Sequence, residues 1–236
     1  MRSRIVWSAP EAERELRGFQ TGDDGGLSFY INQRRDYARN DFDRTQTFVQ
    51  SVVYDFPLGK GKALATSGIT AAIFGGWRVS SFLTIMSGLP LYFTAPAGNL
   101  LAPNNTQTPD LVAPVQILHG VGPGHPWFST SSFAAPTGTS FGNVGRNYLS
   151  GPNFFDLDAA LSKSTRLTER VGFEIRLEAL GATNTPQFTF GSTGPSGGAT
   201  PTGGTQAGTT FGSSSFGSVT SATGGRVLQL GAKLTF

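Results

Sequence analysis

The chain has 236 residues, of which 32 are Gly and 19 are Phe, and only 14% are charged; average Gly usage is about 7%. Cys is absent, which excludes disulfide frameworks, thiolate metal sites and cysteine nucleophiles. The net charge is +3, with no basic stripe interleaved with aromatics, so no nucleic-acid partner is inferred.

Nearly half of the charged residues lie in Met1–Arg44, equally divided between the signs. This stretch reads as a charged, irregular segment. Its first residues lack an apolar run of signal-peptide length, and no run of about 18 apolar residues suggests a transmembrane helix. Thr47–Phe56 then alternates Phe48, Gln50, Val52, Tyr54 and Phe56 against Thr47, Val49, Ser51, Val53 and Asp55, the period of a strand. After a link over Pro57–Gly76, Trp77–Phe93 repeats the pattern, although Phe82 and Met86 break its polar face and Pro90 marks where regular pairing ends. Ala95–Pro152 is a long Gly/Pro/Ser/Thr-rich connection. Strands are expected near 154–163 and 170–184, joined as a hairpin by the short link Ser164–Arg170. A second long connection, Thr185–Gly225, leads to the clearest strand, Arg226–Phe236. There Leu228, Leu230, Ala232, Leu234 and Phe236 oppose Val227, Gln229, Gly231, Lys233 and Thr235.

An apolar face opposite a polar one suits lipid outside and water inside. The expected fold is therefore all-β, an antiparallel up-and-down meander of five to six strands forming part of a transmembrane β-barrel. Residues 45–236 would supply the barrel portion and residues 1–44 an extracellular charged loop. Short and long connections alternate as periplasmic turns and extracellular loops do. With Phe236 periplasmic, Ala95–Pro152, Thr185–Gly225 and the charged segment fall outside the cell. A soluble β-sandwich also alternates, but structureless loops beyond about 15 residues are uncommon in compact domains.

The polar positions of the last strands carry Asp156, Asp158, Glu174, Arg176, Glu178 and Lys233. These are expected to face the barrel lumen, either as a wall touching plug or solute or as cross-strand ion pairs, with a carboxylate opposite Arg176. Tyr54, Phe56, Trp77 and Phe236 fall at the periplasmic strand ends and suit an aromatic girdle. Gly138-Thr139-Ser140-Phe141-Gly142 matches a nucleophile-elbow pattern but lacks the strand before it and the helix after it. His119 and His125 have no further ligand at metal spacing. Gly59-Lys60-Gly61-Lys62 departs from the phosphate-loop frame and reads as a turn. No catalytic, cofactor or metal site is assigned.

Asp41-Phe42-Asp43-Arg44, Phe48-Val49 and Tyr54-Asp55-Phe56-Pro57-Leu58-Gly59-Lys60-Gly61 resemble the barrel of TonB-dependent outer-membrane receptors. The likeness is to the Oar-like group, whose members carry a carboxypeptidase-regulatory-like domain. Gly75-Gly76-Trp77-Arg78-Val79-Ser80, Ser87-Gly88-Leu89-Pro90, Gly142-Asn143-Val144-Gly145-Arg146-Asn147 and Gly151-Pro152-Asn153-Phe154-Phe155-Asp156-Leu157-Asp158 fit the same group in the same order, as does Leu228–Phe236. The likeness covers Asp36 to Phe236, and Met1–Gly26 carries none of these motifs. It implies a Gram-negative outer-membrane location and a barrel of about 22 strands around a plug. This chain would be one stretch of that wall, with the true N-terminus, the other strands and the plug lying upstream. The implied partners are outer-membrane lipid, those missing strands and plug, the barrel-assembly machinery and the TonB energy complex, reached through the missing N-terminal region. Phe236 looks like the terminal aromatic signal for assembly. The implied function is energy-coupled passage of a large solute. A non-transporting structural or adhesive surface protein is the alternative, and a soluble sandwich enzyme using Ser140 is a third reading.

Overall fold

The computed structural model describes residues 2–8 (backbone only), 32–40, 42–59, 61–64, 67–96, 100–102, 105–190 and 207–236. Residues 9–31, most of the expected charged segment, lie outside the described residues.

Six long strands make one sheet. They are β1 (Arg2–Ser8), β2 (Thr47–Asp55), β3 (Trp77–Met86), β8 (Phe154–Arg166), β9 (Gly172–Leu180) and β12 (Val227–Thr235). Their order across the sheet is β1-β2-β3-β8-β9-β12, and every neighbouring pair is antiparallel. The chain is thus an all-β meander, and the sheet is not closed: β1 and β12 are its edges. Five of the strands stand where alternation predicts them. The sixth, β1, stands within the stretch read as irregular. Ile5-Val6-Trp7 is a β-branched and aromatic run that favours a strand, and the charges around it hid that preference.

The expected strand over 77–93 is divided. β3 stops at Met86, where the Ser87 amide makes a last hydrogen bond to Gln46 O at 2.9 Å. The chain then turns away and forms the two-residue β4 (Pro90–Leu91), paired with β7 (Leu149–Ser150). Two further short ladders, β5 (Asp110–Leu111) with β6 (Phe133–Ala134) and β10 (Gln187–Thr189) with β11 (Ser221–Thr223), also lie off the main sheet. The link between β2 and β3 holds one short helix, α1 (Gly68–Phe74). Gly76 ends this link with φ +75°, and a Cβ there would collide with Ser164 O. The turn therefore lies directly on β8, closed by the Ser164 amide on Gly76 O at 3.0 Å.

The hydrophobic core is not on the sheet. Among the described residues it is made by Leu91, Phe93, Trp127, Phe128, Phe133, Val144, Phe190 and Val219, which lie between β3 and β8 or between β9 and β12, at one end of the sheet.

Candidate functional site

The described residues of the two connections expected as loops fold into a cap. Phe93 and Phe128 are fully buried at its centre. The Phe93 ring lies 5.3 Å from Phe128 and 5.0 Å from Phe133, and Phe128 lies 5.4 Å from Phe216. Backbone hydrogen bonds join the two connections. The Phe211 amide donates to Thr94 O at 2.8 Å and the Trp127 amide to Gly217 O at 2.7 Å. Offset and edge-to-face rings at such separations add to the burial of apolar area. The signal for this cap was the density of Phe within Gly- and Ser-rich stretches, since solvated loops have no use for so many aromatics.

The described residues between β1 and β2 clasp the side of the cap. Arg35 Nη2 donates to Thr108 Oγ1 at 2.9 Å, Gly142 O at 2.5 Å and Val144 O at 3.0 Å. Burial lowers the Arg35 guanidinium from its ordinary pKa, opposed by the nearby Tyr92, Asp110 and Asp36. Arg146 and Asp36 form an ion pair at 3.5 Å with both side chains buried. The Asn147 side-chain amide donates to Arg39 O at 2.6 Å, and Arg39 donates to Ser150 Oγ at 3.1 Å.

Below the clasp, the cap meets the sheet. Arg44 Nη1 donates to Ser87 O at 2.8 Å, and its guanidinium lies 5.7 Å from the centre of the Phe154 ring. Burial lowers the Arg44 pKa too, and carbonyl and ring supply part of the solvation it has lost. The Gly88 amide donates to Asn153 Oδ1 at 3.1 Å and the Gly151 amide to Leu89 O at 2.8 Å. A side chain at Gly88 would strike Gly151 O. A cleft of about 250 Å³ opens here, lined by Arg44, Met86, Leu91, Phe154, Gln187 and Phe190 among others. Three sequence motifs far apart in the chain, at 41–44, 87–90 and 142–147, and the start of a fourth, at 151–154, thus converge on one clasp and mouth; Asp41 itself lies outside the described residues.

The sheet register sorts the remaining candidates. On one face, Tyr54, Val79, Leu161, Leu177 and Leu230 form a row, next to Val52, Ser81, Ala159, Ala179 and Leu228. The other face carries all six charged candidates. Asp156 lies opposite Thr84 and Asp158 opposite Phe82. Glu174 lies between Ser164 and Lys233, and Glu178 between Ala160 and Gln229. The expected carboxylate opposite Arg176 is not found: Ser162 and Gly231 flank it. Its partner is Glu178, two residues along the same strand and hence on the same face, with Nε–Oε1 at 2.6 Å. Asp158 accepts the Gly181 amide at 2.9 Å. A cross-strand pair not singled out from the sequence, Asp55–Arg78 at 2.6 Å, ends this face away from the cap.

At that end lie Tyr54, Phe56, Trp77 and Phe236. Tyr54 and Phe56 pack edge to face at 5.2 Å, Trp77 Nε1 donates to Ile73 O at 3.0 Å, and Phe236 is exposed just beyond β12. Ser140 sits in the cap, and its carbonyl accepts Gln107 Nε2 at 3.0 Å. The strand and helix that a nucleophile elbow requires do not flank it. His119 packs edge-on against Trp127 at 4.8 Å. The Lys62 amide closes a turn on Gly59 O at 3.0 Å, and Lys60 lies outside the described residues.

A two-faced, open meander whose buried core, among the described residues, lies in one end cap is the wall of a transmembrane β-barrel. Residues 11–229 match the family described as Outer membrane beta barrel domain, and the chain belongs to that family. Its location is the outer membrane. No curated protein and no solved structure matches the chain.

Proposed function

We propose that the chain is the C-terminal wall of a TonB-dependent, Oar-like outer-membrane transporter that passes a large solute in an energy-coupled step. The observation that carries this reading is the convergence of three of the eight resemblance-bearing motifs, and the start of a fourth, on the clasp and mouth, the other four lying along the strands or at the opposite rim. A motif set that served only as strand sequence would be spread along the wall. Here it links three outer connections to the rim and frames a cleft beside the charged face.

In this reading the apolar face meets lipid, and Asp156, Asp158, Glu174, Arg176, Glu178 and Lys233 line a wet lumen. The β1 and β12 edges require neighbours, because unpaired backbone groups are not tolerated in hydrocarbon. The other strands of the barrel supply them, and a plug fills the lumen beside the charged wall. Phe236 presents the terminal aromatic to the barrel-assembly machinery. The TonB complex acts through the plug-bearing N-terminal region. No catalytic group, cofactor or nucleic acid enters this function.

The test compares three strains of the source bacterium, namely wild type, a deletion of this gene and a strain without TonB. Uptake of solutes from a complex medium is followed by mass spectrometry. The expected result is a shared set of solutes that neither mutant takes up. A deletion strain that keeps every uptake but loses attachment to surfaces would replace transport with an adhesive role.

A further inference from the structure

The helix in the link opposite the cap has no reason to exist in water. α1 has seven residues and buries none of them. Isolated helices shorter than about 12 residues are marginal in water. It carries no charge, and its large apolar side chains are exposed: Ile69 by 77%, Ile73 by 52% and Phe74 by 53%. Yet its C-terminal end is firmly held. Lys163 Nζ donates to Ala72 O at 2.8 Å and to Ile73 O at 2.7 Å, and Trp77 Nε1 donates to Ile73 O. The same ammonium lies 5.3 Å from the centre of the Trp77 ring. A cation there also meets the negative end of the helix dipole.

The position of this clamp decides what the helix touches. Lys163 and Trp77 are register partners. Both belong to the apolar face, in the row beyond Val79 and Leu161, with Ile175 next across the sheet. α1 is therefore fastened to the outer, apolar side of the wall at its uncapped rim. A lysine on a lipid-facing surface is costly unless its charge is satisfied near the interface. The helix carbonyls do that, which accounts for a lysine in an apolar row.

We propose that α1 is an interfacial foot, lying in the phospholipid headgroup layer at the uncapped rim with Ile69, Ile73 and Phe74 in the acyl-chain boundary. Lys163 and Trp77 lock it to the barrel wall. The occupant is phospholipid, because the exposed helix surface continues the apolar face that lipid already covers and has no charge to recognise a polar partner. The inference rests on the reading that the apolar face is the lipid face.

The experiment uses the whole protein, purified and reconstituted in phosphatidylethanolamine–phosphatidylglycerol vesicles. This chain has no cysteine, so single spin labels are placed by Ile69→Cys, Ile73→Cys and, as the reference on the wall, Leu177→Cys. Collision with oxygen and with a water-soluble nickel complex reports depth. The expected result is lipid exposure at all three sites, with 69 and 73 shallower than 177. Water exposure at 69 and 73 with lipid exposure at 177 overturns the foot alone. Shielding of 69 and 73 from both reagents means that protein covers the helix, and also overturns it. Water exposure at 177 overturns the lipid-facing reading and the foot together. Lys163→Met should increase label mobility at 73 while leaving 177 unchanged; unchanged mobility at 73 removes the clamp and with it the locked foot.

Discussion

The cap and the sheet belong to one chain and bury their apolar residues by opposite rules. In the cap, Phe93 and Phe128 are fully buried and ringed by other aromatics. In β12 every residue is exposed, and Leu230 is 73% exposed although it stands mid-strand. A hydrophobic core forms where water is the only solvent for apolar side chains. On the proposed reading the cap projects into water and must make its own. On the same reading the sheet has lipid on one side, so its leucines are satisfied without touching protein. The two regions should consequently answer differently to the same kind of mutation.

The largest effect is expected in the cap. Phe128→Ala removes a ring from its centre and should cost about 3–5 kcal/mol of local stability. Protease added to reconstituted protein should then cut within 87–153, while the barrel keeps its heat-modifiable migration on gels. Simultaneous loss of both would mean that cap and wall fold as one unit. Asp36→Ala comes next. It leaves Arg146 buried without its carboxylate partner, a loss of about 3–5 kcal/mol, which should free the segment 32–46 to proteolysis. Asp36→Ala with Arg146→Met should recover part of it, because the uncompensated charge is gone. A double variant as weak as the single one would deny the pair that role.

The same contrast explains what was legible in the sequence. β2, β8, β9 and β12 each present an apolar face and a more polar one, and two unlike faces write a period of two into the residues. β3 was read as well, but Phe82 on the polar face and Pro90 beyond it blurred where it ends. The cap writes no period. Phe93, Phe128, Phe133 and Phe190 meet across as many as 97 residues, from connections whose Gly, Ser and Pro read as turns. α1 was missed because two turns of Gly-Ile-Thr-Ala-Ala-Ile-Phe are too short to establish a 3.6-residue period. The clasp was half legible: its motifs were recognisable in order, but nothing in their spacing says that Arg146 reaches Asp36. On the charged face, alternation put Arg176 and Glu178 together, yet alternation forbids only one-residue slips, and the turns choose among the remaining registers the one that makes Ser162 and Gly231 the cross-strand neighbours.

A smaller effect should separate the two faces of the sheet. Leu230→Lys puts a charge near the middle of the lipid face and should cost about 2–4 kcal/mol in urea unfolding from vesicles. Gln229→Lys, one residue away on the charged face, should be nearly neutral. Equal losses at 229 and 230 would mean that the faces do not meet different solvents, and the distinction between cap and sheet would lose its cause.

The smallest effect sharpens the comparison from the electrostatic side. Arg176–Glu178 and Arg146–Asp36 pair the same chemical groups, at 2.6 Å and 3.5 Å. Distance alone would make the first the stronger. Its arginine, however, is half exposed and its glutamate partly so, whereas both partners of the second are buried. Water screens the first pair and can solvate either ion once the other is removed. Arg176→Ala should therefore cost only about 0.2–1 kcal/mol, well below Asp36→Ala despite the shorter contact. A loss at 176 as large as that at 36 would indicate that water does not reach the charged face and that a tightly packed plug covers it.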